Sequence, residues 1–318
     1  MDRLRIGVIG SGRIASRFCK EGQKRDDVCF SAVFNPNRGS AQRFAASFSG
    51  MDAAEDLNEL LERSDAVYIA APHAAHYAYA RAALLRGRHV LCEKPVTLSA
   101  AQTAELFALA RENACVLMEA VKTAYAPGFR RIRELCESGA IGTVLETDAT
   151  FTRLTPPGVR EWTDRENGGS MTELGTYLLL PPAVLLGTDW AGCRFWSVFR
   201  NGVDAYTRYF LTGDGRCASG TAGLGGKKDG SLTVAGTEGY LKVGAPWWKP
   251  VRIEVHHEDP NQVEVYEEEY EGEGFRYELD AFLRAVRGEG KPVLTEEQSV
   301  WISSVLERYL TWRKEEKR

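Results

Sequence analysis

Leu4-Arg5-Ile6-Gly7-Val8-Ile9-Gly10-Ser11-Gly12-Arg13-Ile14-Ala15 is the stretch on which the fold turns. Leu4 to Ile9 reads as a compact apolar strand, and the residues from Arg13 to Cys19 are compatible with a helix. Between them stands Gly-x-Gly-x-x-Ala. Gly10 permits a tight turn, Gly12 lets backbone approach a pyrophosphate, and Ala15 is small enough for the helix to pack on the strand. The helix N-terminus supplies free N–H groups and a positive dipole end to phosphate oxygens. A lone glycine-rich turn is a weak sign; one set between a strand and a helix near residue 10 is much stronger.

Outward from this turn, strand signals recur at 29–34, 66–71, 88–92 and 115–119. Helix signals lie at 13–23, 39–48, 56–63, 74–87 and 99–113. Such alternation predicts βαβ units and a doubly wound parallel sheet. Ligands of that architecture sit in a crevice outside the carboxyl ends of the strands. Glu93-Lys94-Pro95 closes the strand-like run His89-Val90-Leu91-Cys92, so Lys94 is expected at that edge. An ammonium there can hydrogen-bond a substrate hydroxyl or stabilise an alkoxide as hydride leaves.

The pattern changes after residue 122. A helix is expected over 127–138, a strand over 143–153, a loop rich in Pro, Gly and charge over 154–169, and a helix from Ser170 toward Leu186. Strand-like runs follow at 193–200, 204–212, 216–222, 231–236, 239–243, 251–256 and 262–270, then helices at 275–287 and 295–313. Alternation as in Tyr206-Thr207-Arg208-Tyr209-Phe210-Leu211 predicts a mainly antiparallel open sheet with helices on one face. The expected division is a nucleotide-binding domain over 1–122 and an α+β domain for substrate binding and oligomerisation over 123–318. Arg313 to Arg318 read as a charged tail that frays.

The chain has 318 residues, 44% hydrophobic and 26% charged, the composition of a soluble globular protein. A net charge of -4 argues against a general nucleic-acid binder. No apolar run approaches membrane-spanning length, and the N-terminus reads as a strand rather than a signal peptide. Seven scattered cysteines without a C-x-x-C pair fit reduced thiols in a cytoplasm. The five histidines show no metal-ligand spacing, and no metal is expected.

Read as a whole, the sequence resembles the glucose–fructose oxidoreductase / inositol dehydrogenase (Gfo/Idh/MocA) family over nearly its full length. The resemblance is carried by Gly7-Val-Ile-Gly10-Ser-Gly12-Arg-Ile-Ala15, Tyr68-Ile-Ala-Ala-Pro72-His-Ala-Ala-His76, His89-Val-Leu-Cys-Glu93-Lys94-Pro95, Met118-Glu119-Ala120 and Gly139-Ala-Ile-Gly142. Gly168-Gly-Ser-Met-Thr-Glu173-Leu-Gly175-Thr-Tyr177 is similar to the dihydrodiol dehydrogenase-like branch. The resemblance implies a Rossmann domain, and an NAD(P)-dependent oxidoreductase that moves hydride between nicotinamide and a hydroxyl or carbonyl carbon of a sugar, polyol or related diol. It implies that Gly10, Gly12, Arg13 and Ile14 line the pyrophosphate. Ala71, Pro72, His73 and His76 would border the nicotinamide side, Glu93 its ribose, and Lys94 would be the catalytic lysine. For His76 a capping or loop role is the favoured reading. Two departures stand out. Glu173 replaces the usual Asp and Tyr177 the frequent His, and Val121-Lys122-Thr123-Ala124-Tyr125 stands where the branch often carries an aromatic and an arginine.

Glu173 and Tyr177 are four apart on a predicted helix and so share one face. A phenol ordinarily titrates near about 10, and a neighbouring ammonium favours its ionised form. Tyr177, assisted by Lys94, is therefore expected to take the hydroxyl proton as hydride departs, with Glu173 beside them. Ser170-Met171-Thr172-Glu173 is also a capping box, which would account for Glu173 without catalysis. Lys122, Arg160 and Trp162 are substrate-binding candidates, the last two from the Pro/Gly loop, with a solvated lysine as the plain reading of Lys122. After the second strand stand Asn35-Pro36-Asn37-Arg38. Without an acidic residue there to repel a 2′-phosphate, Asn35 can bond a ribose hydroxyl and Arg38 can meet a phosphate. The cofactor reading leans to NADP over NAD. A nicotinamide-binding sensor without turnover, and an enzyme that cleaves glycosides through a transient redox step, remain as other readings. The partners expected are a small sugar, polyol or diol and further copies of the chain, as a homodimer or higher oligomer, with no nucleic acid and no membrane.

Overall fold

The computed structural model describes residues 3–316. It divides into two compact units. The first is the chain up to Lys122 together with Glu271–Ser299; the second is Thr123–Tyr270 together with the chain from Val300 onward. The contiguous second domain expected over 123–318 is thereby amended, because the segment Glu271–Ser299 folds with the first unit.

The first unit begins β1 (Leu4–Ile9), α1 (Arg13–Gly22), β2 (Val28–Phe34), α2 (Arg38–Ala45), β3 (Asp52–Ala53), α3 (Leu57–Glu62) and β4 (Ala66–Ile69). A 3₁₀ turn (His73–Ala75), α4 (His76–Leu84), β5 (His89–Glu93), α5 (Ala100–Glu112) and β6 (Leu117–Ala120) complete the alternation. The strands form one sheet in the order β3-β2-β1-β4-β5-β6, and every pairing is parallel. Ile9, Val67, Ile69, Val90, Cys92 and Leu117 from the strands pack with Ala80, Ala83, Leu84, Leu106 and Ala110 from the helices. Burial on both faces explains why β4 and β5 read as near-continuous apolar runs. The two-residue β3 was too short to register in the sequence. Ser99 holds the N-cap position of α5 without its side chain capping; Asn37 and Asp56 do cap α2 and α3, through Ser40 N and Glu59 N.

The second unit contributes α6 (Lys122–Tyr125, which starts at the boundary), α7 (Pro127–Glu137), β7 (Val144–Thr152), α8 (Arg160–Thr163) and α9 (Ser170–Leu185). β8 (Gly192–Arg200), β9 (Val203–Gly213), β10 (Arg216–Gly223), β11 (Leu232–Gly236), β12 (Tyr240–Val243), β13 (Arg252–His256) and β14 (Val263–Glu267) follow. They form an eight-stranded sheet, β14-β13-β12-β11-β7-β10-β9-β8. Only β7 and β10 run parallel, so the mainly antiparallel expectation holds. α9 packs across β7, β9 and β10. It runs through Pro181 and Pro182, which the helix expectation already spanned. Pro182 lacks the N–H that would bond the Leu178 carbonyl, and the Tyr209 hydroxyl donates to that carbonyl instead, at 2.6 Å. Gly220 leaves room for the Tyr209 ring; a Cβ there would lie 2.2 Å from it.

The chain ends with α10 (Phe275–Val286) and α11 (Glu296–Glu316). α10 packs on α1. Glu21 accepts from Arg276 N at 3.0 Å, while Arg25–Asp280 and Arg287–Asp27 pair at 3.0 and 2.8 Å. The fraying expected over Arg313 to Arg318 is corrected at its start, because α11 continues to Glu316 and Arg313 is 1% exposed and paired with buried Asp204 at 3.1 Å, while Lys317 and Arg318 lie outside the described residues. A guanidinium with a carboxylate and backbone carbonyls to bond can be buried where an unpaired one cannot.

Candidate active site

In the first unit, β1 ends where the sheet order reverses between β1 and β4, the place where doubly wound sheets hold ligands. Gly10 adopts φ +104, and a Cβ on it would stand 2.4 Å from the Ala70 carbonyl oxygen, so only glycine fits. Gly12 is the N-cap of α1 and caps nothing with a side chain. A Cβ built on it would meet nothing within 4 Å. The first amides of α1 thus receive no side-chain cap at the positive end of a helix dipole, beside a glycine whose side-chain position is open, which fits a dinucleotide pyrophosphate. Arg13 is exposed and Ile14 half-buried beside them.

Asn35 extends this cradle. Its Nδ2 donates to Ser11 Oγ at 2.9 Å, its Oδ1 accepts from Asn37 N at 2.8 Å, and Ser11 Oγ lies 2.9 Å from Ser40 Oγ. The loop after β2 is thereby fastened to the glycine turn. Arg38 opens α2 and pairs with Glu55 at 2.9 Å, both well exposed. An exposed pair of this kind contributes little, so the guanidinium can be redirected to an anion at small cost.

After β4 the chain passes through Ala71, Pro72 and the 3₁₀ turn at His73. His76 is fully buried, its Nδ1 2.8 Å from the Pro95 carbonyl oxygen and its Nε2 2.9 Å from that of Ala71. It ties the loop after β4 to the loop after β5, in agreement with the loop role favoured from the sequence. The His73 ring meets that of His76 edge to face.

Glu93 closes β5, and the Tyr68 hydroxyl donates to its Oε1 at 2.7 Å. Burial pushes the Glu93 carboxyl upward, while Lys94, Tyr68 and Lys122 draw it back. Lys122 is only 14% exposed, stands 4.6 Å over the Phe275 ring and 4.0 Å from Glu273. The solvated reading of Lys122 is therefore corrected; it is a charge set among carboxylates. One of these is Glu278 on α10, fully buried, with neither carboxylate oxygen hydrogen-bonded among the described residues. Burial drives its carboxyl well above the usual range, Glu93 reinforces this and Lys122 opposes it. Sequence reasoning missed Tyr68 and Glu278. The second left a signal: it occupies an apolar position of the series Phe275, Leu279, Phe282, Leu283.

In the second unit, α9 is buried throughout its first four turns, and within that run Glu173 at 8% and Tyr177 at 9% are the most accessible side chains. The shared face expected for them is therefore where the helix opens. Tyr177 packs against Phe151 at 5.2 Å, and Phe151 stacks on Trp248 at 3.6 Å. Arg160 from α8 reaches Glu173, Nη2 to Oε1 2.9 Å. The capping-box reading of Ser170 and Glu173 fails. Gly169 is the N-cap at φ +112, and Asp204 from β9 accepts from Met171 N at 2.8 Å and Ser170 Oγ at 2.7 Å. A carboxylate brought from another strand satisfies the amide that the local box would have served. Trp162 commits its indole N–H to the Thr155 carbonyl at 3.0 Å, pinning the loop it belongs to.

Comparison with known proteins agrees with this geometry. Residues 4–121 match the description "Oxidoreductase family, NAD-binding Rossmann fold", and residues 129–242 match "GFO/IDH/MocA C-terminal domain". Among similar chains, a dTDP-3,4-didehydro-2,6-dideoxy-alpha-D-glucose 3-reductase of Streptomyces antibioticus is 33% identical over 268 residues, 81% of each chain. The scyllo-inositol 2-dehydrogenase (NADP(+)) of Bacillus subtilis (strain 168) is 28% identical over 266 residues, 80% of each. A crystal structure of a 3-ketoreductase from Actinomadura kijaniata, in complex with NADP and TDP-benzene, superposes with a TM-score of 0.82 at 27% identity, covering 96% of each chain. A Rossmann unit with an uncapped, glycine-opened helix end, joined to an open sheet of this topology and matched along both parts, places the chain in the Gfo/Idh/MocA family of oxidoreductases.

Proposed function

We propose that this protein moves hydride between NADP(H) and one hydroxyl or carbonyl carbon of a sugar-like substrate, with Lys94 and Tyr177 as its catalytic residues. The observation that carries the reading is the α1 N-terminus, left without a side-chain cap at a glycine that faces open space. When bound, nicotinamide supplies the hydride acceptor or donor. The residues of the chain do the rest. The amides behind Gly12 hold phosphate, with Arg13 and Ile14 alongside. Asn35 and Arg38 meet the adenosine ribose and its 2′-phosphate, and the NADP used by the Bacillus subtilis relative and bound in the Actinomadura kijaniata structure supports that choice. Ala71, Pro72 and His73 border the nicotinamide half, and Glu93, oriented by Tyr68, bonds its ribose.

Lys94, at the carboxyl end of the parallel sheet, donates to the reacting oxygen and stabilises alkoxide character as hydride leaves. Tyr177 transfers the hydroxyl proton. Glu173, held by Arg160, orients the substrate from the same helix face. Lys94→Ala and Tyr177→Phe should each lower kcat by about 10²–10⁴-fold while leaving NADPH affinity near wild type. Turnover close to wild type in both would remove the scheme. Arg38→Ala should weaken NADPH binding and leave NADH unchanged, as read by titration of the purified protein; equal losses for both cofactors would retire the Arg38 role.

The assembly we propose is a homodimer or larger. The face of the second sheet that carries Trp196, Val198 and Phe210 leaves these apolar side chains exposed, and apolar area of that kind marks an interface. We propose a cytoplasmic location, where seven free thiols stay reduced.

A further inference from the structure

The second unit contains a cavity of about 590 Å³ that the scheme above leaves unused. Its wall is built from the loop after β7, the β8–β9 turn and the segment after β10, and includes Thr155, Trp162, Arg165, Arg200, Asn201 and Gly225. Two features set its chemistry. It is lined by two guanidinium groups and by no carboxylate. Neither Arg165 nor Arg200 makes an ion pair among the described residues, in a protein of net charge -4 whose surface carries many Arg–carboxylate pairs. Two unpaired guanidinium groups beside one cavity repel each other, and a shared anion removes the repulsion.

The cavity also holds an aromatic wall. Because the Trp162 N–H is spent on the Thr155 carbonyl at 3.0 Å, the indole is fixed in place. A Cβ built on Gly225 would stand 3.1 Å from Trp162 Cη2 and 3.4 Å from Arg200 Nη1. The indole edge and the guanidinium therefore converge over one glycine that carries no side chain between them. The Arg165 stem lies on Gly202, whose Cβ would be 3.4 Å from Arg165 Cδ. The volume falls within the range of sites that enclose an organic ligand and exceeds what a lone anion needs.

We propose that this cavity binds the nucleoside diphosphate arm of the sugar substrate, its phosphates on Arg165 and Arg200 and its base against Trp162. The proposal rests on the oxidoreductase reading and narrows its substrate to a nucleotide-linked sugar. The loop that forms the cavity suits this, because Arg160, two residues before Trp162, holds Glu173 on α9. One loop thus fastens the arm and positions a carboxylate of the reacting helix.

The test is calorimetric titration of dTDP and UDP into the full-length protein saturated with NADPH, so that the cofactor cradle is blocked. Wild type should bind one of the two nucleotides, and inositol should not compete for the same site. Arg200→Ala and Arg165→Ala should each weaken nucleotide binding by about tenfold to a hundredfold, with Arg200→Lys recovering part of the loss. Both side chains are exposed, so the variants should keep wild-type NADPH affinity. NADPH binding without any nucleotide binding, or nucleotide affinity unchanged in both alanine variants, overturns the cavity assignment and leaves the oxidoreductase reading standing. Absence of NADPH binding overturns that reading itself. The arm and a separately bound free nucleotide are told apart by turnover. If the arm occupies the site, dTDP or UDP inhibits competitively against the nucleotide-linked sugar and the arginine variants raise KM for it. If inhibition is not competitive, the substrate-arm assignment falls.

Discussion

Glu119 is a carboxyl group carried inside a parallel sheet. It is 2% exposed on β6, and its Oε1 accepts from Val96 N at 3.2 Å. Burial raises it from the usual 4.5 to about 7, and the Ser299 hydroxyl, the Val96 amide and Lys94 offset part of that rise. A carboxyl raised in the folded state binds its proton more tightly there than in the unfolded chain. Its contribution to stability is therefore fully present below about 4.5 and is lost as pH rises through about 7. Glu119→Gln keeps an acceptor for Val96 and removes the titration. Relative to wild type, the variant should gain stability steadily between these pH values and by about 3 kcal/mol above them. Denaturant midpoints measured at pH 5 and pH 8 check this; an equal difference at both would refute it. Glu278 carries the same sign and a larger push, with Lys122 as its opposing charge. At this scale the roles of Gly10 and Gly12 were legible in the sequence, because their reasons are local: one needs a positive φ, the other an absent side chain. Lys122 and Glu278 were not, because what surrounds each comes from a segment some 150 residues away.

α9 shows what an element owes to its neighbours. Its hydrophobic composition and length were enough to predict it, but its start is governed from β9. Asp204 accepts the Met171 amide, the Ser170 and Thr207 hydroxyls, and the Arg313 guanidinium; Arg313 also donates to the Gly168 carbonyl at 2.6 Å. All of this lies in the dry interior of the second unit. Removing one member of such a buried pair leaves the other charge uncompensated, so Asp204→Ala should cost roughly 3–5 kcal/mol. The double replacement Asp204→Leu with Arg313→Met should cost less than the sum of the single changes. Chemical denaturation of Asp204→Ala, of the single variants Asp204→Leu and Arg313→Met and of their double reads both quantities, and strict additivity would show that the pair does not act as a unit. The local capping box was a fair inference from Ser170 and Glu173, and it lost because Asp204 supplies the acceptor and frees Glu173 to meet Arg160.

For the whole molecule, the exposed apolar face of the second sheet makes a prediction about assembly. Light scattering behind size exclusion should give at least twice the chain mass. Replacing Trp196 and Phe210 together by glutamate should return it to a monomer, since two charges on a buried interface are costly; a monomeric wild type would count against the dimer. The sequence by itself determined the alternation of the first unit, the glycine turn between β1 and α1, the position of Lys94 after β5 and the shared face of Glu173 and Tyr177. Each depends on interactions within a turn of helix, a strand period or a βα junction, and such short-range rules act on neighbours in the chain. Only the tertiary structure decided that Glu271–Ser299 returns to the first unit, that Asp204 and Arg313 set the start of α9, and that Arg165 and Arg200 line one cavity without a carboxylate. Those outcomes turn on burial and on charges meeting across long sequence separations, where the energy of a group is set by what folds against it.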